Sequence, residues 1–167
     1  MTKLLLCGLI TVAIASASGA SAAAQSKAGP LQGVWQTVEL TITGPGARTI
    51  TLPEPLANLS IFSGRHYTRV EVQTEKPRPV LTAPATATAD ELRATWGPFV
   101  AEAGTFEVTD NTITMRPIAS KNPAVMGPGV VLTYSFKIEG KTMWVTQVRN
   151  QTGPFPNPYT AKLVRVE

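Results

Sequence analysis

Two stretches at opposite ends of the chain decide the fold: Gly33-Val34-Trp35 and Lys162-Leu163-Val164-Arg165. The first opens a segment of alternating polar and apolar residues, and the second lies in the last such segment. Alternation with a period of two is typical of a β-strand that is buried on one face. A Gly-x-Trp in the first strand and an arginine in the last therefore predict a small antiparallel barrel whose two ends meet at its base.

Strand signals also dominate the chain between these two ends. The first strand places Val34, Val38, Leu40 and Ile42 on one face and Trp35, Thr37, Glu39 and Thr41 on the other. Further strands are predicted over residues 48–52, 58–63, 65–73, 105–109, 112–117, 130–138, 141–149 and 159–166. Because such a sheet removes its exposed edges by closing, we predict an all-β, antiparallel up-and-down barrel of about eight to ten strands.

One short helix is predicted among these strands. Thr88-Ala89-Asp90-Glu91 forms a capping box, in which Thr88 accepts from the Glu91 backbone N–H and the glutamate reaches back. Leu92, Trp96 and Phe99 follow at the spacing of one helix face, and Gly97-Pro98 is expected to kink or interrupt the helix. Because one helix cannot form a second layer, we expect it to act as a plug or lid.

The first residues predict a secretory signal. Lys3 is the only charge before an apolar run from Leu4 to Ala15, and small residues then lead to Ala22-Ala23-Ala24. The run is shorter than the roughly 20 residues of a membrane-spanning helix. We expect a signal peptide over 1–24 and one domain over 25–167, exported to the periplasm or secreted by a bacterium, with no stable membrane insertion once the signal is removed.

Composition narrows the classes of function. The single cysteine, Cys7, lies in the predicted signal, so no disulfide, thiol nucleophile or thiolate metal site is expected in the mature chain. That chain would carry 14 basic and 11 acidic residues with no two basic residues adjacent, which argues against nucleic-acid binding. One histidine without cysteine argues against a metal site, and no nucleotide-binding fingerprint is present, so no metal or cofactor is expected.

Four segments in order resemble the bacterial lipocalin-like domain proteins, which are distant relatives of lipocalins in the calycin group. They are Gly33-x-Trp35, Phe62-Ser63-Gly64-Arg65-His66-Tyr67, Ala103-Gly104-Thr105-Phe106-Glu107-Val108 and Leu163-Val164-Arg165. The resemblance implies a lipocalin-like barrel with a helix between the fourth and fifth strands. It also implies that Trp35 packs across the closed end beneath the guanidinium of Arg165.

The predicted strand over 65–73 raises the question of which face is inside. His66, Thr68, Val70 and Val72 share one face, and Tyr67, Arg69 and Glu71 share the other. The two valines favour the first face as interior. In the alternative, Tyr67, Arg69 and Glu71 point inward and form a polar cluster able to hold a carboxylate or polarise a carbonyl.

The interior is expected to be lined by aromatic and polar side chains. Tyr134 shares an apolar face with Leu132 and Phe136, so its ring should be buried and its hydroxyl should need a partner. The predicted ligand-lining residues are His66, Thr68, Phe106, Met115, Tyr134, Phe136 and Trp144. No catalytic residue is predicted, and for the aromatic residues simple core packing is the alternative.

The leading hypothesis is an exported barrel that binds a small apolar or amphipathic molecule. Two alternatives stay open. One is a non-catalytic interaction module of the envelope, in which the proline-rich loops Pro77 to Pro84 and Gly153 to Pro158 form contact surfaces. The other is a cofactor-free isomerase or cyclase that uses the barrel cavity. The lack of a motif for bond chemistry favours a binding protein over an enzyme.

Overall fold

The computed structural model describes residues 29–52 and 58–167, so the predicted signal peptide lies outside the described residues. Their elements are β1 (Gly33–Ile42), β2 (Arg48–Thr51), β3 (Leu59–Ser63), β4 (His66–Val72), α1 (Ala89–Trp96), β5 (Phe99–Thr109), β6 (Thr112–Ser120), β7 (Leu132–Glu139), β8 (Thr142–Asn150), β9 (Gly153–Pro154) and β10 (Tyr159–Arg165). The α-helix follows the fourth strand, as predicted.

Eight strands close into an antiparallel barrel. Their order around it is β1-β3-β4-β5-β6-β7-β8-β10, and β10 closes the barrel by pairing with β1 as well as with β8. The short strands β2 and β9 pair with β1 and β8 and stay outside the ring. The predicted all-β, antiparallel barrel with one short helix is confirmed.

Tight turns join neighbouring strands at one end of the barrel. Gly64 lies between β3 and β4, Asp110 between β5 and β6, and Gly140 between β7 and β8, all with a positive φ of 53–58°. Glycine adopts this left-handed conformation freely, and aspartate is one of the few other residues that tolerates it. These turns and the start of β1 lie at the same end, which we call the closed end.

Trp35 and Arg165 seal the closed end. The Trp35 ring is fully buried, and the Arg165 guanidinium carbon lies 4.1 Å from the ring centroid. Arg165 donates hydrogen bonds to the carbonyls of Gln32 (2.6 Å) and Pro30 (2.5 Å), while Trp35 Nε1 donates to the Leu31 carbonyl at 2.8 Å. The first and last strands are therefore joined by a cation–π contact and by hydrogen bonds.

The glycine that opens β1 is required by this closure. Gly33 has a φ of +120°, and a Cβ at this position would collide with the backbone carbonyl of Glu167 and approach Arg165 Nη1 to 2.8 Å. A side chain would thus meet both strain in its own backbone and the end of the last strand. Gly-x-Trp marks the place where the two ends of the chain touch.

A β-bulge in β1 changes the predicted faces of this strand. The pairing of β1 with β10 shifts register between Thr37 and Glu39. Trp35 and Thr37 are buried before the bulge, and Leu40 is buried after it. The prediction of two uninterrupted faces was wrong. One extra residue at the bulge reverses the alternation, so odd-numbered positions are buried before the bulge and the even-numbered Leu40 is buried after it.

The helix also differs from its prediction in which side it buries. The capping box of Thr88 and Glu91 is present, but α1 ends at Trp96, and Phe99 starts β5. Thr95 is buried, whereas Leu92 and Trp96 are exposed. The helix is fastened to the preceding proline-rich loop, since Thr95 donates to the Pro79 carbonyl at 3.1 Å and Arg78 donates to the Thr95 carbonyl at 3.2 Å.

The apolar core fills the closed half of the barrel. Phe62 and Phe106 meet edge to face with ring centroids 5.2 Å apart. Other buried core members include Leu31, Ile113, Met115, Met143 and Leu163. Ring pairs of this geometry stabilise a core beyond the area they bury. The closed half is therefore packed, and open space is found toward the opposite end.

The contact between Arg165 and Trp35 predicts a loss of stability in Arg165→Ala. We expect a cost of about 1–3 kcal/mol from the lost cation–π contact and hydrogen bonds. For a domain of this size that corresponds to roughly 2–4 °C in Tm for each kcal/mol. Thermal unfolding followed by circular dichroism measures it. Arg65→Ala is the matched control because its side chain is 73% exposed, and equal Tm values for the two variants would contradict the structural role.

Candidate functional site

The inward face of β4 carries charged and polar side chains. Tyr67 and Glu71 are buried, whereas His66 and Val70 are exposed. The prediction that the face of His66, Thr68, Val70 and Val72 is interior was therefore wrong. Valine favours strands on either face, since its β-branched side chain suits a pleated surface, so the two valines do not mark the inside.

An ion pair lies inside the barrel between β4 and β5. Arg69 Nη2 is 3.2 Å from Glu102 Oε1, and the two side chains are only 17% and 5% exposed. Arg69 Nη1 also donates to the Tyr159 hydroxyl at 3.2 Å, and the Tyr67 hydroxyl donates to Glu102 at 3.4 Å. A buried charge needs partners of this kind because its removal from water costs several kcal/mol.

A second carboxylate, Glu71, is also buried on the inward face of β4. Its Oε1 accepts from the Thr37 hydroxyl at 3.0 Å, and its Oε2 accepts from the Gln73 side-chain amide at 3.1 Å. Burial alone would lower the pKa of Arg69, but the surrounding Tyr159, Glu71, Tyr134 and Glu102 raise it. The guanidinium therefore stays charged between two carboxylates.

Two buried phenols hold their protons tightly. Burial, and then the negative charge of Glu102, raise the pKa of Tyr67 well above its ordinary value. Burial and the neighbouring Tyr159 raise the pKa of Tyr134 in the same way. A tyrosine with a raised pKa is a hydrogen-bond donor at neutral pH and a poor base.

A cavity of about 690 Å³ opens at the end of the barrel opposite Trp35, and we call it the cup. Its apolar lining includes Phe99, Val100, Ala101, Pro123, Val125, Leu132 and Phe155. Its polar lining includes Arg69, Glu102, Lys121, Tyr134, Gln147 and Tyr159. The volume lies within the range of about 300–1,000 Å³ that is common for small-molecule sites.

Below the cup the barrel is nearly filled. A deep void of about 30 Å³ is lined by Arg69, Glu71, Tyr134 and Tyr159 together with apolar core residues such as Met115. This space is large enough for a water molecule or two, since one water needs at least about 10–15 Å³. A ligand larger than this would therefore occupy the cup and rest on the polar residues that separate it from the void.

Lys121 holds the rim of the cup to the end of the helix. Its ammonium donates to the carbonyls of Trp96 and Gly97 and, at 2.9 Å, to that of Phe99. The last carbonyls of a helix carry partial negative charge and favour a cation. The cation at the rim is therefore engaged with the backbone.

The structure separates the predicted ligand-lining residues into three groups. Tyr134 lines both the cup and the deep void, and Met115 lines the void. Phe106 is buried in the core, and Phe136 packs against it. His66 is exposed beside the turn at the closed end, while Thr68 and Trp144 are half-buried and alternate with the buried Tyr67 and Met143. Binding of a ligand by any of them stays a prediction.

Sequence reasoning did not select several residues that line the cup. Arg69 was considered only in the alternative for β4, and Glu102, Gln147, Lys121 and Tyr159 were not selected. The signal available for Glu102 was its position on the strand next to β4, where it pairs directly with Arg69. That pairing depends on strand register, which the local sequence pattern does not define.

A separate groove lies on the outer surface beside α1. It has a volume of about 500 Å³ and is lined by residues of the proline-rich loop and by Leu92 and Trp96 of the helix. Val80 and Trp96 are 87% and 48% exposed. Exposed apolar surface of this kind is what the interaction-module alternative expects from the loop over Pro77 to Pro84, and that alternative stays a prediction.

Metal-binding clusters and membrane-spanning helices can be assessed for the described ranges 29–52 and 58–167. Within these ranges, no group of three or more His, Cys, Asp and Glu side chains is placed to hold a metal ion. No helix in the same part of the chain is both long and apolar enough to cross a membrane.

Comparison with known proteins gives only a weak likeness of fold. No family model and no curated protein matches the sequence. Among solved structures, the barrel is similar to an uncharacterized protein from Bacteroides eggerthii DSM 20697, with 10% identity and a TM-score of 0.41 over 80% of this chain and 98% of that one. At this level the likeness carries no functional argument.

The raised pKa values of Tyr67 and Tyr134 predict a loss of stability at alkaline pH. The folded protein keeps both protons after the unfolded chain has lost them, so this stabilisation is complete below about pH 10 and falls as the pH rises further. Of the three tyrosines in the chain, these two should form tyrosinate only as the barrel unfolds. Tyrosinate absorbance and far-UV circular dichroism, recorded in the same titration, measure this.

Single substitutions show which tyrosine gives the tyrosinate absorbance that appears only on unfolding. Tyr67→Phe and Tyr134→Phe should each remove one phenol from the part of the absorbance change that accompanies unfolding. If both phenols ionise near about pH 10 while the circular dichroism stays native, the described burial of the two hydroxyls is wrong.

Proposed function

We propose that this protein is an exported, lipocalin-like barrel that binds one small amphipathic molecule in the cup. The observation that carries the proposal is the combination of a cavity of about 690 Å³ with an apolar wall and a polar floor. Small-molecule sites commonly have a mainly apolar lining and a few polar groups that fix the orientation of the ligand. Export and the lipocalin-like relationship rest on the sequence alone.

The difference between the two ends of the barrel supports ligand binding at the open end. The closed end is sealed by Trp35 and Arg165, whereas the cup opens between the start of β5 and the ends of β6 and β8. A ligand would place its apolar part against Phe99, Leu132 and Phe155 and its polar group toward the floor. Each Å² of apolar ligand surface removed from water contributes about 25 cal/mol.

The isomerase or cyclase alternative has one observation in its favour. Arg69 and Glu102 lie at the floor of the cup beside the Tyr134 hydroxyl, so a charged hydrogen-bond donor and a carboxylate border the same space. Such a pair could polarise a carbonyl and accept a proton. Its test is to recover a bound molecule after incubation and compare its structure with that of the molecule supplied, by NMR. An unchanged molecule after prolonged incubation counts against turnover.

Filling part of the cup should weaken binding without unfolding the barrel. Val125 lies at the rim in a short 3-10 turn, Pro123–Val125, and lines the cup. We expect Val125→Trp to weaken binding of Nile red, a neutral fluorescent probe, by about tenfold or more because the indole occupies ligand space. A tenfold loss of affinity corresponds to about 1.4 kcal/mol.

The matched control is Val80→Trp. Val80 lines the groove beside α1 and is 87% exposed, so a tryptophan there leaves the cup unchanged. Fluorescence titration of both variants and of the parent protein measures the effect. If Val80→Trp weakens binding of Nile red and Val125→Trp does not, the probe binds in the outer groove. That result would support the interaction-module alternative.

A further inference from the structure

The guanidinium at the cup floor is already neutralised within the protein. Arg69 is paired with Glu102 at 3.2 Å and lines the deep void together with Glu71. One guanidinium therefore lies among two carboxylates, and the formal charge of this cluster is −1 at neutral pH. An anionic head group that approached Arg69 would meet the negative charge of Glu102 at the same place.

The other cation of the cup lining is also engaged. Lys121 donates to the carbonyls of Trp96, Gly97 and Phe99, so its ammonium is directed toward the backbone at the end of α1. To pair with a ligand carboxylate it would have to give up these hydrogen bonds. Both cations among the described cup residues therefore have partners for their charge, and the buried Nε–H of Arg69 is left without a hydrogen-bond acceptor.

The remaining polar groups of the lining are uncharged donors. Tyr134, Gln147 and Tyr159 line the cup, and Tyr134 and Gln147 are buried. The Tyr159 oxygen accepts from Arg69 and is also hydrogen-bonded with the Tyr134 hydroxyl. The donors left for a ligand are therefore the Tyr159 hydroxyl hydrogen and the Gln147 amide. Buried donors of this kind favour a ligand that supplies an acceptor, because an unmade hydrogen bond there costs about 1–3 kcal/mol.

We infer that the cup selects an uncharged head group that accepts hydrogen bonds, such as an ester, a ketone or an alcohol, over a carboxylate on the same tail. This inference rests on the proposed function and makes it more specific. Phe99, Leu132 and Phe155 contact the tail, and the Tyr159 phenol and the Gln147 amide contact the head group. Glu102 excludes the anion because it neutralises Arg69 and repels a second carboxylate.

The test compares ligands that differ only in the head group. Methyl decanoate, 1-decanol, decanoate and decylamine compete with Nile red for the full-length protein at neutral pH. We expect the ester and the alcohol to bind at least about tenfold more tightly than decanoate, since like charges at close range cost that much or more. A tighter affinity for decanoate or for decylamine than for both neutral ligands overturns the inference.

The Glu102→Gln variant tests the role of the carboxylate. With this charge removed, Arg69 loses the partner that neutralises it, and decanoate should gain about tenfold in affinity relative to the ester. Glu107→Gln is the matched control on the same strand, since its side chain is 52% exposed and pairs with Arg65 and Arg116 on the outer surface. If both variants keep the preference of the parent protein, Glu102 does not set the selectivity.

The outcomes separate the two proposals. If none of the four ligands displaces the probe and the probe itself does not bind, the proposed function fails. If the ligands bind but decanoate equals or exceeds the ester in the parent protein, the cup binds amphiphiles and only the selectivity is wrong. The order of affinities in the parent protein decides this even if Glu102→Gln does not fold.

Discussion

The buried pair of Arg69 and Glu102 is the constraint on which the open half of the barrel depends. A guanidinium inside a barrel is stable only where a carboxylate and further hydrogen bonds receive it. β4 and β5 provide these partners because Arg69 and Glu102 lie directly opposite each other in the ladder. Once Arg69 points inward, strict alternation also places Tyr67 and Glu71 inside, where Glu102 and Thr37 receive them.

The two ends of the barrel have different physical characters for this reason. At the closed end Trp35 and Arg165 join the first and last strands, and apolar side chains fill the interior. Toward the other end the interior holds Arg69, Glu71 and Glu102 in place of apolar side chains, and the cup lies above them. Buried charges need paired, hydrogen-bonded surroundings, and here the pair that meets this need lies at the floor of the cup.

Much of the fold could be predicted from the sequence, because its signals are local. Period-two alternation, the turn residues at Gly64, Asp110 and Gly140, and the capping box at Thr88 each report a neighbouring stretch of chain. The contact of Trp35 with Arg165 was implied by a family resemblance and is present in the structure. Export and the extent of the signal peptide stay predictions, since residues 1–28 lie outside the described part.

The candidate site was harder to predict because it depends on pairing between distant residues. The bulge between Thr37 and Glu39 and the inward face of β4 are both consequences of register. Hydrophobicity alone assigned the valines of β4 to the interior, whereas the interior is occupied by charges that compensate each other. Tyr134 was found since its whole strand is apolar on one side, but Glu102 gave no local signal.

A double-mutant cycle on Arg69→Met and Glu102→Leu tests most directly whether this ion pair organises the open half of the barrel. Urea unfolding gives the free energy of unfolding for the parent, both single variants and the double variant. We expect each single variant to lose about 3–5 kcal/mol because it leaves a buried charge unpaired. The double variant should lose clearly less than the sum of the two. Additive losses would show that the two side chains do not depend on each other and would contradict the account.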